Sequence, residues 1–424
     1  MRSFLVSMFL LVVASSWVHA QDTFFQPEQQ RILLLGDSNT FAGHYVTYLD
    51  VYLYTRFPTK QWELLNVGLP SETASGLSEP DHPFPRPNVH TRLDKALAMT
   101  KPNVVFMCYG MNDGIYHPFS QDRLTAYKLG MLKVIRKAQQ AKAKGVVITT
   151  PPFDPVPVAK RLAPPNAKEF SYRKPFAGYD DVLARYSQFL LQLRRKDIPV
   201  VDVHTATNKH LQRMRKSQPK YRLAGDGIHP NHTGHWLMAA EILVGLKAPA
   251  IVADIEVDCK TRKVRGGRRA TFTINDKGVT VTWQAGLPLP IDSRWPKTFP
   301  EKQRLQKALN RYQLTVRGLT KGNYDLMEGD QKLARVTAEA LAQGIDLTQF
   351  PRLSTNQRAQ QVLKLASQRQ RILGRAWLSH IGHNRPNTPK GMSLDKAQVA
   401  ADELDARIRK LVVPTNMTLR LQPV

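Results

Sequence analysis

Ile32-Leu33-Leu34-Leu35-Gly36-Asp37-Ser38-Asn39 is the stretch on which the reading of this chain turns. Four apolar residues in a row, with no polar alternation, mark a strand buried on both faces, and such strands belong to parallel sheets covered by helices. The run stops at a glycine and delivers a serine hydroxyl to the mouth of the strand. Far downstream stands Asp226-Gly227-Ile228-His229-Pro230, a carboxylate and an imidazole three residues apart. Ser38 as nucleophile, His229 as general base and Asp226 as the acid that orients the base are the parts of a serine hydrolase.

Working outward, short apolar, β-branched runs alternate with helical patterns up to about residue 250. Strands are predicted at residues 32–35, 62–67, 104–109, 146–150 and 200–203, and helices at 40–56, 123–142 and 182–193. A last helix follows Pro230, with Trp236, Leu237, Ala240, Leu243 and Val244 at helical spacing on one face. Five such strands predict an α/β fold, a flavodoxin-like three-layer sandwich with a parallel sheet, which takes ligands beyond the carboxyl ends of its strands. Residues 151–178 interrupt the rhythm with Pro151, Pro152, Pro155, Pro157, Pro164, Pro165 and Pro175. A loop of this length is either a wall of the substrate cleft or a surface excursion.

Beyond residue 250 the texture changes to a smaller β-rich and helical region. Strands are predicted at 251–257, 270–274, 279–283 and 312–316, and two helices at 355–381 and 394–411. Arg262, Lys263, Arg265, Arg268 and Arg269 surround Gly266 and Gly267 and read as a solvated hairpin tip, with a polyanion contact as the second reading. The expected organisation is a signal peptide at 1–20, a catalytic domain at 21–250 and an accessory region at 251–424.

The signal peptide rests on Arg2, the apolar stretch 4–14, and Val18 and Ala20 at the small-residue positions before a cleavage site. The stretch is shorter than the roughly 20 residues of a membrane span, so the expectation is cleavage after Ala20 and a secreted or periplasmic protein without a membrane span. No cysteine stands near that site to carry a lipid. The two cysteines, Cys108 and Cys259, make no disulfide framework, and Cys108 inside the run 104–109 reads as a buried small hydrophobe.

The net charge is +27, of which +12 falls in residues 1–250 and +15 in residues 251–424. So even a spread suits general attraction to polyanions, or a basic surface with no partner. A nucleic-acid module would concentrate its charge on one element, so no nucleic-acid partner is expected.

Acyl transfer also needs hydrogen-bond donors aimed at a developing oxyanion. Gly110-Met111-Asn112-Asp113 closes the third predicted strand and brings the Asn112 amide to the same sheet edge as Ser38. Gly68 ends the second, where its N–H can face the cleft, and the Ser38 N–H is a third donor. Each has a plain reading beside it. Asn112 is also a turn former next to Asp113 and Gly114, Gly68 an ordinary strand-end glycine, and Asp226 a cap for the turn before the last helix.

Together, Gly36-Asp37-Ser38, Gly68, Gly110 with Asn112 and Asp113, and Asp226 with His229 and Pro230 resemble the four blocks of the SGNH hydrolases, the GDSL esterase and lipase superfamily, and the segment from Asn66 to Leu77 with the Pro-rich stretch after it resembles secreted bacterial members with a carboxyl-terminal extension. The resemblance covers about residues 31–247. Asn39 stands where many members have leucine, which weakens any lipase character, and the Gly-Xaa-Ser-Xaa-Gly elbow of the other large hydrolase class is absent around Ser38.

The resemblance implies a Ser38, His229, Asp226 triad, an acyl-enzyme, an oxyanion hole of Ser38 N–H, Gly68 N–H and Asn112, and neither cofactor nor metal. His204, His210, His232 and His235 show no metal-site spacing and read as core or surface residues. The implied activity is hydrolysis of carboxylic esters, with small acyl groups such as acetyl on carbohydrate as the leading substrate and an acylated polysaccharide as partner, to which the spread positive charge adds an acidic polysaccharide. Alternatives are a polysaccharide O-acyltransferase on the same scaffold and a non-catalytic polysaccharide-binding protein.

Overall fold

The computed structural model describes residues 23–196, 198–296 and 301–424. The predicted signal peptide and its cleavage point lie outside the described residues. Strands β1 (Gln29–Gly36), β2 (Gln61–Asn66), β3 (Val104–Cys108), β4 (Lys144–Ile148) and β5 (Val200–Val201) form one sheet in the order β2-β1-β3-β4-β5. Every pairing is parallel, and the order is the flavodoxin-like one predicted. Leu34 lies opposite both Asn66 and Phe106. The carboxyl ends of β1, β2 and β3 therefore finish level, and the segments that follow them converge.

Side-chain alternation divides the sheet between two cores. Ile32, Leu34, Leu64, Phe106 and Ile148 face one way, and Leu33, Leu35, Leu65, Met107 and Val147 the other. The predicted helix at 40–56 is two helices, α1 (Ser38–Ala42) and α2 (His44–Arg56), broken at Gly43, whose φ of +76° ends the first. Helices α3 (Leu93–Thr100), α4 (Gln121–Gln140) and α5 (Tyr179–Gln192) cover the Leu33 face, while α6 (Val203–Arg215) and α7 (His232–Gly245) join α2 on the Ile32 face.

After α7 come β6 (Ile251–Asp258), β7 (Lys263–Arg265), β8 (Arg268–Asn275), β9 (Gly278–Ala285), α8 (Lys302–Leu309), β10 (Arg311–Arg317), β11 (Asn323–Glu328), β12 (Gln331–Thr337), α9 (Ala338–Gln343), β13 (Ile345–Asp346), α10 (Ser354–Ile381), α11 (Leu394–Val412) and β14 (Thr415–Pro423). The strands build two sheets, β13-β10-β6-β7 and β12-β11-β14-β9-β8, around a third core that includes Trp283, Tyr312, Leu326 and Leu419. The basic cluster is not a hairpin tip. β7 pairs with β6 in one sheet and β8 with β9 in the other, so Gly266 and Gly267 carry the chain between sheets. A Cβ on Gly266 would sit 1.7 Å from the Asp254 carbonyl oxygen, which only glycine avoids.

Helix α10 runs along the open edge of the parallel sheet. Val362 and Ala366 enter the core under α2, and Leu373, Trp377 and Ile381 enter the core under α3. Gln370 Nε2 donates to the buried Asp50 carboxylate of α2 at 2.7 Å, with Arg369 3.5 Å from the same oxygen. An edge strand with unpaired backbone groups invites association with another chain, and a helix laid over it removes that hazard. Further ties join the β-rich part to α2 and α7. Tyr48 donates to Asp292 at 2.8 Å, and Trp236 stacks on Trp295 with ring centroids 4.6 Å apart. Both cysteines are free, with Cys108 buried in β3. Among the described residues no helix is long and apolar enough to cross a membrane.

Leu373 is fully buried. Leu373→Ala is expected to destabilise the protein by about 2 to 5 kcal/mol, the usual range for a cavity left in a packed core. Urea unfolding of the two proteins measures this, and a loss well under about 1 kcal/mol would mean that α10 is not part of the sheet's core.

Candidate active site

The site begins with the exit from β1. A Cβ on Gly36 would lie 2.0 Å from Thr40 Oγ1 and 2.8 Å from the Cys108 carbonyl oxygen, so only glycine lets the chain turn there. Asp37 caps α1 by accepting from the Asn39 N–H at 2.9 Å. Its carboxyl is buried, and that burial pushes its pKa up to about 7 against the pull of the Asn39 N–H and of nearby His229. Ser38 is the first residue of the helix, where a backbone N–H has no intrahelical partner.

The second part is the turn before α7. Gly227 has a φ of +81°, and a Cβ on it would meet the Asp154 carbonyl oxygen at 2.6 Å, so conformation and space both require glycine. The turn lets Asp226 do two things at once. Its Oδ1 accepts from the N–H of Ile228 at 3.0 Å and of His229 at 2.8 Å, while Oδ2 lies 2.6 Å from His229 Nδ1. Asp226 thus both caps the turn and bonds the imidazole. Because a carboxylate only accepts, Nδ1 carries the proton and Nε2 is left as acceptor. Ser38 Oγ lies 2.8 Å from that Nε2, across 191 residues of chain.

The electrostatics follow from this geometry. Burial works against a charged His229, but the hydrogen bond to Asp226, that carboxylate's charge and Asp37 outweigh it and raise the imidazole above its ordinary 6.5. Burial would likewise raise Asp226, but the His229 hydrogen bonds and charge hold it well below the usual carboxylate range. The two side chains remain about half exposed, at 48% and 47%. Water therefore has access to the imidazole.

Loop 151–178 borders this turn rather than leaving the surface. The Asp154 N–H donates to the Gly227 carbonyl at 2.8 Å, and Arg161 donates to the Asp226 carbonyl at 3.3 Å. Arg215 fixes the Asp154 carboxylate at 2.8 and 2.6 Å.

The end of β3 supplies Asn112, which is buried. Its Oδ1 accepts from the Tyr116 hydroxyl at 3.1 Å, and its Nδ2 donates to the Glu72 carbonyl at 3.2 Å. These contacts settle the orientation of the amide and leave the second Nδ2 hydrogen free. Behind it, the Glu72 carboxylate binds Arg92 at 2.6 Å and Tyr109 at 2.7 Å, all buried. Neither Glu72 nor Tyr116 was singled out from sequence. Tyr116 has a φ of +60°, a conformation its residue type does not announce.

Gly68 departs from the expectation. Its N–H donates to Asn66 Oδ1 at 3.0 Å, and a Cβ on it would lie 2.4 Å from the Phe41 nitrogen. It is a close-packing glycine beneath α1, and its amide is not free to face the cleft. Four residues on, Glu72 N–H donates to the Leu69 carbonyl at 3.2 Å and closes a turn in which Ser71 has a φ of +67°. That is the position of a type II turn usually given to glycine. The turn runs from Leu69, bonded to the Gly36 carbonyl at 2.9 Å, to Glu72, bonded to Asn112. Among the described residues the Ser71 N–H has no hydrogen-bond partner.

His204 bonds Asp180 at 3.1 Å, His210 bonds Glu301 at 2.5 Å, and His235 is buried beside His44. Among the described residues no group of three His, Cys, Asp or Glu side chains is placed to hold a metal.

Residues 34–237 match the family of GDSL-like lipases and acylhydrolases. In three dimensions 93% of the chain superposes on 98% of a gut microbial diltiazem-metabolizing enzyme, with a TM-score of 0.73 at 19% identity. An acetylxylan esterase from Geobacillus stearothermophilus aligns over 52% of this chain and 95% of its own, with a TM-score of 0.39 at 18% identity. A second acetyl xylan esterase aligns over 50% and 98%, with a TM-score of 0.38 at 19% identity. No curated protein matches the chain in sequence.

Gly227→Ala is expected to cost far more activity than stability, because the added Cβ displaces the turn that holds Asp226 and His229. Ester turnover should fall by about 100-fold or more, since small displacements of reacting groups cost on this order, while the fold is retained by circular dichroism. Wild-type turnover in this variant would contradict the role given to the turn.

Proposed function

Residues 34–237 belong to the GDSL-like lipase/acylhydrolase family of the SGNH hydrolase superfamily, which makes this chain an ester-hydrolysing enzyme, and on that premise we propose that Ser38, His229 and Asp226 carry its reaction. The observation that supports this reading is the unbroken hydrogen-bonded chain from Ser38 Oγ through His229 to Asp226 Oδ2. In the proposed mechanism Ser38 Oγ attacks the ester carbonyl carbon as His229 Nε2 takes its proton, and Asp226 stabilises the imidazolium. Collapse of the tetrahedral intermediate expels the alcohol, which receives the proton from His229 and leaves the acyl group on Ser38. Water then repeats the attack with His229 as base, and the acid departs.

For the oxyanion we assign the Ser38 N–H and the free Nδ2 hydrogen of Asn112. The unpaired N–H of Ser71 takes the place expected of Gly68, whose own N–H is already committed to Asn66. Such donors act on charge that appears only in the transition state. The half-exposed imidazole leaves water access to act as acyl acceptor, as hydrolysis requires.

The proposed substrate is a small acyl ester, such as acetyl, on carbohydrate, met outside the cytoplasm after removal of residues 1–20. The leader-like composition of that segment and the polar Asn39 beside the nucleophile support it.

A fluorophosphonate probe tests nucleophile and base together. It should label the wild-type protein on Ser38 and leave Ser38→Ala unlabelled. The base must be neutral to act, and the His229 pKa lies above 6.5, so the labelling rate should rise with pH through an inflection above that value. Labelling of Ser38→Ala, or a rate that already saturates near pH 4, would refute the assignment.

A further inference from the structure

Helix α10 approaches the active-site layer closely at Gly374, where a Cβ would lie 3.1 Å from the Asn66 carbonyl oxygen. Beside that contact a cavity of about 250 Å³ opens between α10 and the α1–α2 junction. Phe41 and His44 line it from the junction, and Ser367, Arg371 and Arg375 from α10. The last three are spaced four residues apart, so they share one face of the helix, and all three are exposed.

Its chemistry is specific. Other arginines of α10 are engaged, Arg369 with Asp50 and Arg358 with the Leu411 carbonyl. Among the described residues Arg371 and Arg375 have neither an ion-pair nor a hydrogen-bond partner. Two free guanidiniums facing one cavity form a receptor for a planar or tetrahedral anion, because each presents a fork of N–H donors. His44 adds no positive charge at neutral pH. Burial, followed by the proximity of His232 and Arg294, brings its pKa down to about 4. Its imidazole, with the Ser367 hydroxyl, is suited to the hydroxyls of a polar ligand. Phe41 is partly exposed and offers a flat apolar face.

The cavity lies at the far end of the short helix that carries the nucleophile. Phe41 and Ala42 end the five-residue helix that Ser38 begins, about one helical turn or 5 Å along the axis. For a molecule whose acyl group lies at Ser38, a neighbouring unit would have to extend about one helical turn along α1 to reach the cavity.

We propose that this cavity is a subsite for an anionic sugar residue, carrying a carboxylate or a sulfate, next to the sugar that bears the scissile ester. The inference rests on the hydrolase reading only for the placement of the ester at Ser38. Binding of the anion is independent of catalysis.

Calorimetric titration of the full chain with trigalacturonic acid, a sulfated galactose disaccharide and neutral xylotriose, none of which carries an ester, tests it. At least one anionic probe should bind tighter than xylotriose, and the tighter of the two identifies the anion. Arg371→Gln with Arg375→Gln should weaken that binding by about 10- to 100-fold, as loss of charge-assisted hydrogen bonds does. Lys396→Gln with Arg407→Gln, an equal loss of charge from exposed positions on α11, should not. Equal affinity for neutral and anionic probes, wild-type affinity in the Arg371, Arg375 variant, or equal weakening by both pairs of substitutions would overturn the proposal. Loss of fluorophosphonate labelling with anion binding intact would instead remove the hydrolase reading and leave the subsite standing.

Discussion

The site depends on one short turn. With Gly227 in the left-handed region, a single carboxylate, Asp226, holds the backbone with one oxygen and the His229 imidazole with the other. An exposed ion pair between flexible side chains is ordinarily weak, because ordering them offsets the attraction. Here the two backbone hydrogen bonds have already ordered Asp226, so His229 meets a fixed acceptor. Loop 151–178 holds the same turn from outside through Asp154 and Arg161. The proline-rich excursion thereby becomes part of the site's support.

The parallel sheet supplies the other half of the geometry. In the order β2-β1-β3-β4-β5 the chain leaves β1 and β3 toward opposite faces, and the crevice at that reversal is where such sheets take ligands. Ser38 and Asn112 follow those two strands directly. The carboxyl-terminal half is not a detached appendage to this arrangement. Helix α10 closes the β2 edge, contributes to both cores of the sandwich and brings Arg371 and Arg375 to a cavity shared with the end of α1.

Sequence reading reached what is contiguous and missed what turns place. The strands of the parallel sheet announce themselves as unbroken apolar runs, and Ser38, Asp226 and His229 lie in short strings that point to a common site only when taken together with the other blocks of the family. Strand β14 is missing from the sequence reading although Met417, Leu419 and Leu421 alternate with polar residues in the period of a half-buried strand; its place between β9 and β11 is set by distant partners. The Gly68 amide was misplaced for a related reason. A glycine at a strand end reads as a free donor, but Asn66 folds back onto it, while the residue with the left-handed conformation is Ser71, whose type gives no hint of it. Tyr116 and Glu72, which orient Asn112, were likewise hidden in loop geometry.

The central claim is that Ser38 carries the acyl group between two half-reactions. Mixing the enzyme with an acetyl ester, quenching in acid within the first turnovers and analysing the peptides by mass spectrometry tests this most directly. The account predicts one acetyl group on the peptide containing Ser38, formed at the rate at which alcohol is released. Turnover with no acylated Ser38 peptide, or an acetyl group on another residue with Ser38 unmodified, would contradict it.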